Sequence, residues 1–229
     1  MSAPETHRYG PAPSQFCELF RPAVEPAGVA VVLHGGFWRA RYDRTLMHPL
    51  CVDLAARGWA AWNVEYRRLG DGGGVPATLE DVVAATGAIE SEGGLTPLRS
   101  VAIGHSAGGH LAAYLASRVP LDGVVSQAGV LDLALGAQLG LSDGVVEEFL
   151  GGAALTDASP IERLPLRTRT LLTHGAHDDI VPPVMSERYA VAARAAGDDV
   201  DLVVDPAADH YAHLDPAHPL WAAVTAWLG

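Results

Sequence analysis

The chain has 229 residues, of which 49% are hydrophobic and 18% charged, and its formal net charge is −12 at pH 7. This length and this apolar fraction suffice to bury one large core, so we predict a single α/β domain over residues 1–229. The acidic excess, with no basic run longer than Arg67-Arg68, argues against a nucleic-acid partner, because a phosphate backbone requires clustered positive charge.

The first residues and the cysteines indicate the environment of the protein. The prolines and glycines among the first 14 residues predict a loosely held start, and residues 1–15 lack the pattern of a signal peptide. No window approaches 18 unbroken apolar residues, so we expect no membrane partner. Cys17 and Cys51 have neither CxxC spacing nor a disulfide framework, which is typical of buried thiols in a cytoplasmic protein.

Short apolar runs alternate with longer helical patterns along most of the chain. The runs are typical of strands covered on both faces, and the first of them fits an edge strand. The pair Thr78 and Asp81 resembles a helix-start signal. The alternation predicts a mostly parallel central sheet with helices on both faces, whose ligands bind at the carboxyl ends of the strands. The predicted strands are 15–20, 29–33, 59–64, 100–103, 123–126, 170–173 and 200–204, and the predicted helices are 45–57, 78–91, 107–118, 185–196 and 217–228.

One long segment interrupts this alternation. More than 40 residues separate the strand at 123–126 from the strand at 170–173, and they include an amphipathic piece around 142–150. Connections of that length usually carry function or structure of their own. We therefore predict a small cap-like insertion at about 132–165, near the site, and the alternative is a plain surface excursion.

The segment Gly104-His105-Ser106-Ala107-Gly108 joins a predicted strand to a predicted helix. It fits the G-x-S-x-G pattern, in which a serine occupies a strained turn and small flanking residues let strand and helix pass closely. The helix N-terminus would then lie beneath Ser106, where its dipole and the Ala107 N–H stabilise negative charge. The pattern indicates a nucleophilic serine, and the alternative is a glycine-rich turn with a helix-capping serine.

A serine alcohol requires a base, and the base requires an orienting group, before it attacks at neutral pH. Two acids, Asp178 and Asp179, follow the strand predicted at 170–173, and two histidines, His210 and His213, follow the last strand. Because the carboxyl ends of parallel strands meet at one edge of a sheet, we expect an acid and a base from these pairs to converge with the serine.

Five stretches, each at the end of a predicted strand, carry a family resemblance. Together they resemble the α/β-hydrolases, and among these the small esterases and the kynurenine-formamidase-like enzymes with a His-Gly-Gly-aromatic-Trp loop. The resemblance implies an α/β-hydrolase fold with a short insertion near the site, serine hydrolase chemistry and no cofactor. The stretches are HGGFW at 34–38, NVEYRRLG at 63–70, GHSAGGHLA at 104–112, HGAHDDIVP at 174–182 and DHYAHLD at 209–215.

The resemblance also implies a catalytic role for individual residues. It makes Ser106 the nucleophile, Asp178, the third residue after Gly175, the acid, and His210 the base. His213 then takes a structural or supporting role.

Further residues are implied around the triad. By the same resemblance, the amides of Gly36 and Phe37 join that of Ala107 as the oxyanion hole. Candidates for the substrate pocket are Trp38, His105 and Tyr211, although Trp38 fits a role in packing the loop equally well.

Two other groups of charged or histidine residues have structural interpretations. Glu65 and Arg67 are expected to pair with Asp81 and to support the oxyanion loop, with direct substrate contact by Arg67 or Arg68 as the alternative. The histidines invite a metal site, but the H-E-x-x-H helix is absent, so we expect neither a metal nor a cofactor. The ligands considered for such a site are His174, His177, Asp209, His210 and His213.

The function expected is hydrolysis of small carboxylic esters, with a small-molecule acyl substrate as the partner. The alternative within this chemistry is an N-formyl amide hydrolase of the kynurenine formamidase type, although Phe37 stands where that subgroup is associated with tyrosine. An exopeptidase is a further possibility. A non-catalytic binding protein with the same fold is disfavoured because Ser106, Asp178 and His210 are all present.

Overall fold

One eight-stranded sheet organises the computed structural model, which describes residues 3–96 and 99–229. The strand order is β1-β2-β4-β3-β5-β6-β7-β8; β2 runs antiparallel to both β1 and β4, and the remaining pairs are parallel. The strands are β1 (Glu5–Arg8), β2 (Phe16–Phe20), β3 (Val29–Leu33), β4 (Ala60–Glu65), β5 (Ser100–His105), β6 (Gly123–Gln127), β7 (Thr170–Gly175) and β8 (Val200–Asp205).

Helices cover both faces of this sheet. Short 3₁₀ turns at Arg44–Met47, Pro160–Arg163 and Ala212–Leu214 complete the described elements. The helices are α1 (His48–Ala56), α2 (Ala77–Ser91), α3 (Ala107–Ala116), α4 (Leu133–Gln138), α5 (Val145–Leu150), α6 (Leu155–Ala158), α7 (Val184–Ala195) and α8 (Pro219–Leu228). No helix in the described part of the chain combines the length and the apolar character that a membrane crossing requires.

The apolar strand runs follow from this layered arrangement. In β3, Val31 and Leu33 pack into one buried cluster with α2, α3 and α7, whereas Ala30 and Val32 pack into a second cluster with α1 and α8. Because successive strand residues point to opposite faces, a strand between two helical layers requires apolar residues at every position. The predicted α/β-hydrolase fold, with a mostly parallel sheet and helices on both faces, is confirmed.

Strand ends differ from the prediction where glycine interrupts the apolar run. β5 and β7 each extend two residues beyond their predicted ends, through Gly104 and Gly175. Glycine weakens a strand pattern in the sequence, yet both positions are crowded by neighbouring backbone and cannot hold a side chain. The insertion at 132–165 contains α4, α5, α6 and the second 3₁₀ turn.

Three local expectations were wrong. Strand β2 was expected at the edge of the sheet, but β1 pairs along its outer side. Residues 5–9 were expected to be loosely held, but Glu5–Arg8 pairs with β2 and the Tyr9 hydroxyl donates to the Glu65 carbonyl oxygen at 2.6 Å. Helix α2 begins at Ala77, and Asp81 does not cap it. The Asp81 carboxylate instead accepts hydrogen bonds from distant side chains, a tertiary use that a local sequence signal does not reveal.

Backbone segments pack closely where β5 turns into α3. A Cβ added to Gly104 would lie 1.9 Å from the Gly108 carbonyl oxygen, and one added to Gly108 would lie 2.0 Å from the Leu33 carbonyl oxygen. These atoms belong to the backbone and cannot rotate away. The G-x-S-x-G glycines are therefore required by the crossing of β3, β5 and α3.

The substitution Gly108→Ala tests this packing. We expect it to lower the free energy of unfolding by more than about 3 kcal/mol, because a methyl group must displace the backbone of β3. The matched control is Gly87→Ala in α2, where an added Cβ meets nothing within 4 Å. That change should stabilise the protein by about 0.5–1 kcal/mol. Urea titration measures both values, and equal effects of the two substitutions would contradict the packing argument.

Candidate active site

Ser106 occupies the turn between β5 and α3 in a strained conformation. Its backbone angles, φ 57° and ψ −120°, lie where a residue other than glycine costs about 1–3 kcal/mol. The Ser106 N–H donates to the Gln127 carbonyl oxygen at 2.8 Å, which ties the turn to the end of β6. The serine precedes the first residue of α3, Ala107, so it lies at the positive end of the helix dipole.

Asp178 and His210 form a buried hydrogen-bonded pair. Asp178 lies in the loop after β7 and His210 in the loop after β8, and the Nδ1–H of His210 donates to Asp178 Oδ2 at 2.6 Å. This bond fixes the ring tautomer and leaves Nε2 of the neutral imidazole free to accept a proton. The neighbouring Asp179 is exposed.

Further hydrogen bonds keep the Asp178 carboxylate ionised. Its Oδ1 accepts from the backbone N–H groups of Ile180 (3.0 Å) and Val181 (2.8 Å), and His174 Nε2 lies 3.2 Å from Oδ2. Burial alone would raise the pKa of Asp178, but the hydrogen bonds from His174, His210 and Val181 lower it overall to well below its ordinary value. The Asp178 carboxylate therefore stays ionised and can accept the hydrogen bond that orients His210.

A cavity of about 230 Å³ lies beside Ser106 and His210, and Asp178 does not line it. Of the residues that the sequence analysis selected, Ser106, His210, Gly36, Phe37, His105 and Tyr211 line it. Tyr211 is 55% exposed and belongs to the rim. Six further lining residues were not selected from the sequence. Ile180 and Leu214 belong to motif stretches but are apolar and carry no chemical signal, and the other four lie outside the motif stretches: Arg41, Tyr42, Leu46 and Ser142.

Trp38 lies outside this cavity. Its side chain is fully buried, stacked on Phe149 of α5 with ring centroids 4.2 Å apart and edge-on to His110 at 5.1 Å. Of the two roles considered for Trp38, the structure places it in packing, between the oxyanion loop and the insertion. Ala107 does not line the cavity with its side chain either.

The loop at residues 34–38 has an unusual backbone. Gly36, Phe37 and Trp38 have consecutive positive φ angles of 106°, 51° and 55°. The loop is held from outside, because the Leu69 N–H donates to the Trp38 carbonyl oxygen at 2.7 Å and the Tyr66 hydroxyl donates to that of His34 at 2.7 Å. These bonds maintain a conformation that Phe37 and Trp38 would not adopt unaided.

The loop also fits closely against the nucleophile turn. A Cβ added to Gly35 would lie 2.8 Å from the His105 carbonyl oxygen and 3.0 Å from Ser106 Cβ. Gly35 therefore allows the loop's backbone to pack directly against Ser106.

Glu65, at the end of β4, anchors the same loop. Its buried carboxylate lies 2.9 Å from the Arg68 guanidinium and 3.2 Å from His34 Nε2, and it accepts from the Arg44 N–H at 3.1 Å. Burial would raise the pKa of Glu65, but the hydrogen bond from His34 and the charge of Arg68 lower it overall.

Only one of the two residues expected to pair with Asp81 does so. Arg67 does pair with Asp81 at 2.7 Å, whereas Glu65 pairs with Arg68 and His34. Arg67 and Arg68 are adjacent in the chain, and their guanidinium groups reach different carboxylates. Neither Arg67 nor Arg68 lines the cavity.

Three buried histidines surround the site without carrying charge. Burial lowers the pKa of His105 to about 3 and of His110 to about 4, and burial also lowers the pKa of His213 well below 6.5. The His105 Nε2–H donates to the His210 carbonyl oxygen at 2.9 Å, so His105 helps to hold the backbone that carries His210. His213 packs beside it, with Nδ1 3.2 Å from the Thr173 hydroxyl.

Within residues 3–96 and 99–229, no three histidine, cysteine or carboxylate side chains converge in a way that could hold a metal ion.

A family model spans most of the chain. Residues 51–228 match the model of the prolyl oligopeptidase family. The chain belongs to the prolyl oligopeptidase family. This membership, within the α/β-hydrolase superfamily, confirms the predicted hydrolase class. A comparison with curated proteins gives no significant match.

Solved structures share the fold of this prolyl oligopeptidase family member across its whole length. A truncated carbohydrate esterase from gut microbiota has a TM-score of 0.84 at 20% identity, covering 99% of this chain and 95% of its own. The propionate-bound esterase Est2 of Thermogutta terrifontis has a TM-score of 0.79 at 23% identity, covering 99% and 94%. A thioesterase described as putative, from a Silicibacter species, has a TM-score of 0.74 at 22% identity, covering 98% and 86%. At these identities the likeness establishes the fold.

The substitution Glu65→Gln tests the anchor of the oxyanion loop. It leaves the buried Arg68 cation without its nearest counter-charge, so we expect the free energy of unfolding to fall by about 3 kcal/mol. The matched control is Glu148→Gln, which removes a half-exposed carboxylate 3.3 Å from Arg39 and should cost less than about 1 kcal/mol. Equal losses in urea titration would show that the Glu65 network is not an anchor.

The buried histidines predict that acid destabilises the protein. The unfolded chain protonates these histidines near pH 6.5, whereas the folded chain keeps His105 and His110 neutral down to about pH 3 and 4. The contribution of these histidines to the free energy of unfolding is therefore fully present above pH 6.5 and is lost progressively as the pH falls below it.

Urea titrations between pH 7 and 4.5 measure this dependence. The variant His110→Gln should be less stable than the wild type at pH 7 but should lose less stability on acidification, because one titrating group is gone. An identical pH dependence in both proteins would exclude His110 as a contributor.

Proposed function

We propose that this chain is a serine hydrolase that cleaves small carboxylic esters through Ser106, His210 and Asp178. One observation carries the proposal: the cavity that Ser106 lines is also lined by His210, whose Nδ1–H is held by Asp178 at 2.6 Å. A nucleophile at a helix N-terminus and an oriented imidazole in one cavity match the requirements of acyl transfer.

The reaction begins at the ester carbonyl. The Ser106 hydroxyl oxygen bonds to the carbonyl carbon while its proton passes to His210 Nε2, and Asp178 stabilises the imidazolium that forms. The carbon–oxygen bond to the alcohol then breaks, and the alcohol leaves with the proton from His210. Water, deprotonated by His210, attacks the acyl-enzyme and releases the carboxylic acid and free Ser106.

The backbone around Ser106 supports an oxyanion hole for the intermediate. The Ala107 N–H is among the first amides of α3, which have no acceptor within the helix. Gly36 and Phe37 belong to a strained loop packed against Ser106, so their amides are the partners proposed for it. Each such donor contributes on the order of 10²–10³ in rate.

The cavity favours compact acyl groups. Its volume of about 230 Å³ lies below the range of about 300–1,000 Å³ typical of drug-sized ligands. Among the solved structures of the same fold, the Thermogutta terrifontis esterase binds propionate and butyrate, and it is phosphonylated by sarin. We propose short acyl chains of comparable size as substrates here.

The same site supports a second candidate, an N-formyl amide hydrolase. A formyl group is the smallest acyl group and fits this cavity, and the HGGFW loop favours the kynurenine formamidase type. Both candidates use the same nucleophile and base, so only the relative rates on the two substrate classes separate them. An exopeptidase activity is tested by the same comparison.

The surroundings of the site support two further proposals. We propose that residues 132–165 form a cap over the site, because Ser142 lines the cavity and Arg39, next to the oxyanion loop, contacts both the Ser142 carbonyl oxygen and Glu148.

We also propose a cytoplasmic location, since Cys17 and Cys51 are buried free thiols.

A labelling and turnover experiment tests the proposed function. The wild type should hydrolyse para-nitrophenyl acetate and butyrate, and a fluorophosphonate probe should label Ser106, as read by peptide mass spectrometry. Ser106→Ala and His210→Gln should lower kcat by at least about 10³, and Asp178→Asn by about 10⁴, because the tautomer of His210 is lost.

The control for Asp178→Asn is Asp179→Asn, which removes the exposed neighbouring carboxylate and should leave kcat within about twofold of the wild type. Failure of the folded wild type to react with the probe would disprove the proposal, as would equal losses for the two aspartate variants. A higher kcat/KM on N-formylkynurenine than on any ester would favour the second candidate, and a higher value on short peptides would favour an exopeptidase.

A further inference from the structure

The cavity that contains Ser106 has an uneven charge distribution. Twelve described residues line it, and none of them is an aspartate or a glutamate. Arg41 is the one lining residue that carries a permanent charge. The chain as a whole has a net charge of −12, so the cavity differs from the rest of the protein in having one permanent cation and no carboxylate among its described lining residues.

Arg41 also differs from the arginines that surround it. Arg39 lies 3.3 Å from Glu148, Arg44 lies 2.8 Å from Glu18, and Arg68 lies 2.9 Å from Glu65. Among the described residues, no carboxylate lies within 4.0 Å of the Arg41 guanidinium. Its donors are thus available to an anion from solution.

The position of Arg41 is set by Tyr42 and the oxyanion loop. The Arg41 guanidinium lies over the Tyr42 ring, 5.0 Å from its centroid. The Tyr42 side chain in turn packs against Gly36, where an added Cβ would lie 2.3 Å from Tyr42 Cβ. The Tyr42 ring therefore packs against both the Arg41 guanidinium and the loop at residues 34–38, the proposed oxyanion loop.

We propose that Arg41 binds a carboxylate carried by the substrate, so that the preferred substrates are compact esters with a free carboxylate group. This inference rests on the proposed ester hydrolysis at Ser106. The planar guanidinium fork matches a carboxylate in two parallel hydrogen bonds, and the cavity admits an ester and a carboxylate only a few bonds apart. A monoanion suits the acidic protein better than a multiply charged group, because the net charge repels each added negative charge.

Two pairs of isosteric esters test this proposal. Para-acetoxybenzoate and para-acetoxybenzamide differ by a carboxylate on the alcohol side, whereas mono-para-nitrophenyl glutarate and its glutaramide analogue differ on the acyl side. In at least one pair, the wild type should have a kcat/KM about tenfold or more higher for the carboxylate than for the amide. Raising the ionic strength should reduce this preference.

Variants then assign the preference to Arg41. Arg41→Gln should lower the carboxylate-to-amide ratio about tenfold or more, and Arg41→Lys should retain part of it, because lysine keeps the charge without the fork. The matched control is Arg118→Gln, which removes the charge of an exposed arginine that does not line this cavity and should leave the ratio unchanged.

The outcomes separate this inference from the proposed function. Absence of any preference in the wild type, or an equal effect of Arg41→Gln and Arg118→Gln, would overturn the role of Arg41 while ester turnover persists. In Ser106→Ala protein, which lacks turnover, calorimetry should detect tighter binding of the carboxylate than of the amide for the pair in which the wild type shows the preference, and the double variant with Arg41→Gln should lose this difference. Equal binding of the two compounds would also overturn the inference, whatever the reaction proves to be.

Discussion

The backbone contact at Gly104 and Gly108 sets the geometry on which the rest of the site depends. Strand β5 must end directly above the N-terminus of α3, and the helix must pass the carboxyl end of β3 within contact distance of the Leu33 carbonyl oxygen. Ser106 is then held over the helix terminus in a conformation that an isolated chain would avoid. The loop that follows β3 begins at the same crossing, so one packing constraint brings together Ser106 and the loop at residues 34–38, the proposed nucleophile and the proposed oxyanion loop.

Buried polar groups provide the second constraint. The carboxylates of Asp178 and Glu65 are both removed from water, yet each remains charged because several donors surround it. Loss of one partner would leave a buried charge uncompensated, which makes these networks rigid. Asp178 thereby fixes the ring of His210, and Glu65 fixes the loop that carries Gly36. The chemistry at the site thus depends on groups that do not themselves touch a substrate.

The fold and the substrate have different determinants in this molecule. The sheet and its helical layers agree with membership of the prolyl oligopeptidase family and with solved structures of about 20% identity that share the fold. Such a fold supports many reactions, so the substrate is decided by the residues that line the cavity. Here those residues combine apolar walls from Leu46, Ile180 and Leu214 with one unpaired cation, Arg41.

The amino-acid sequence by itself determined the order of strands β2 to β8, the sheet type and the motif residues. Strand β3 was located at its observed bounds, since a strand between two helical layers must be apolar at every position. Ser106 and the candidate acids and histidines could be located because each follows a strand, and parallel strands bring their carboxyl ends to one edge. The family resemblance then selected Asp178 and His210.

Only the tertiary structure decided which of the neighbouring side chains meet. Glu65 and Arg67 diverge to separate partners, Asp81 serves an ion pair and not a helix cap, and Trp38 packs beneath the insertion instead of lining the cavity. Arg41 and Ser142 belong to no motif, and they reach the site from different loops. The physical reason is that strand and helix patterns depend on local burial, whereas side-chain contacts depend on how distant segments pack.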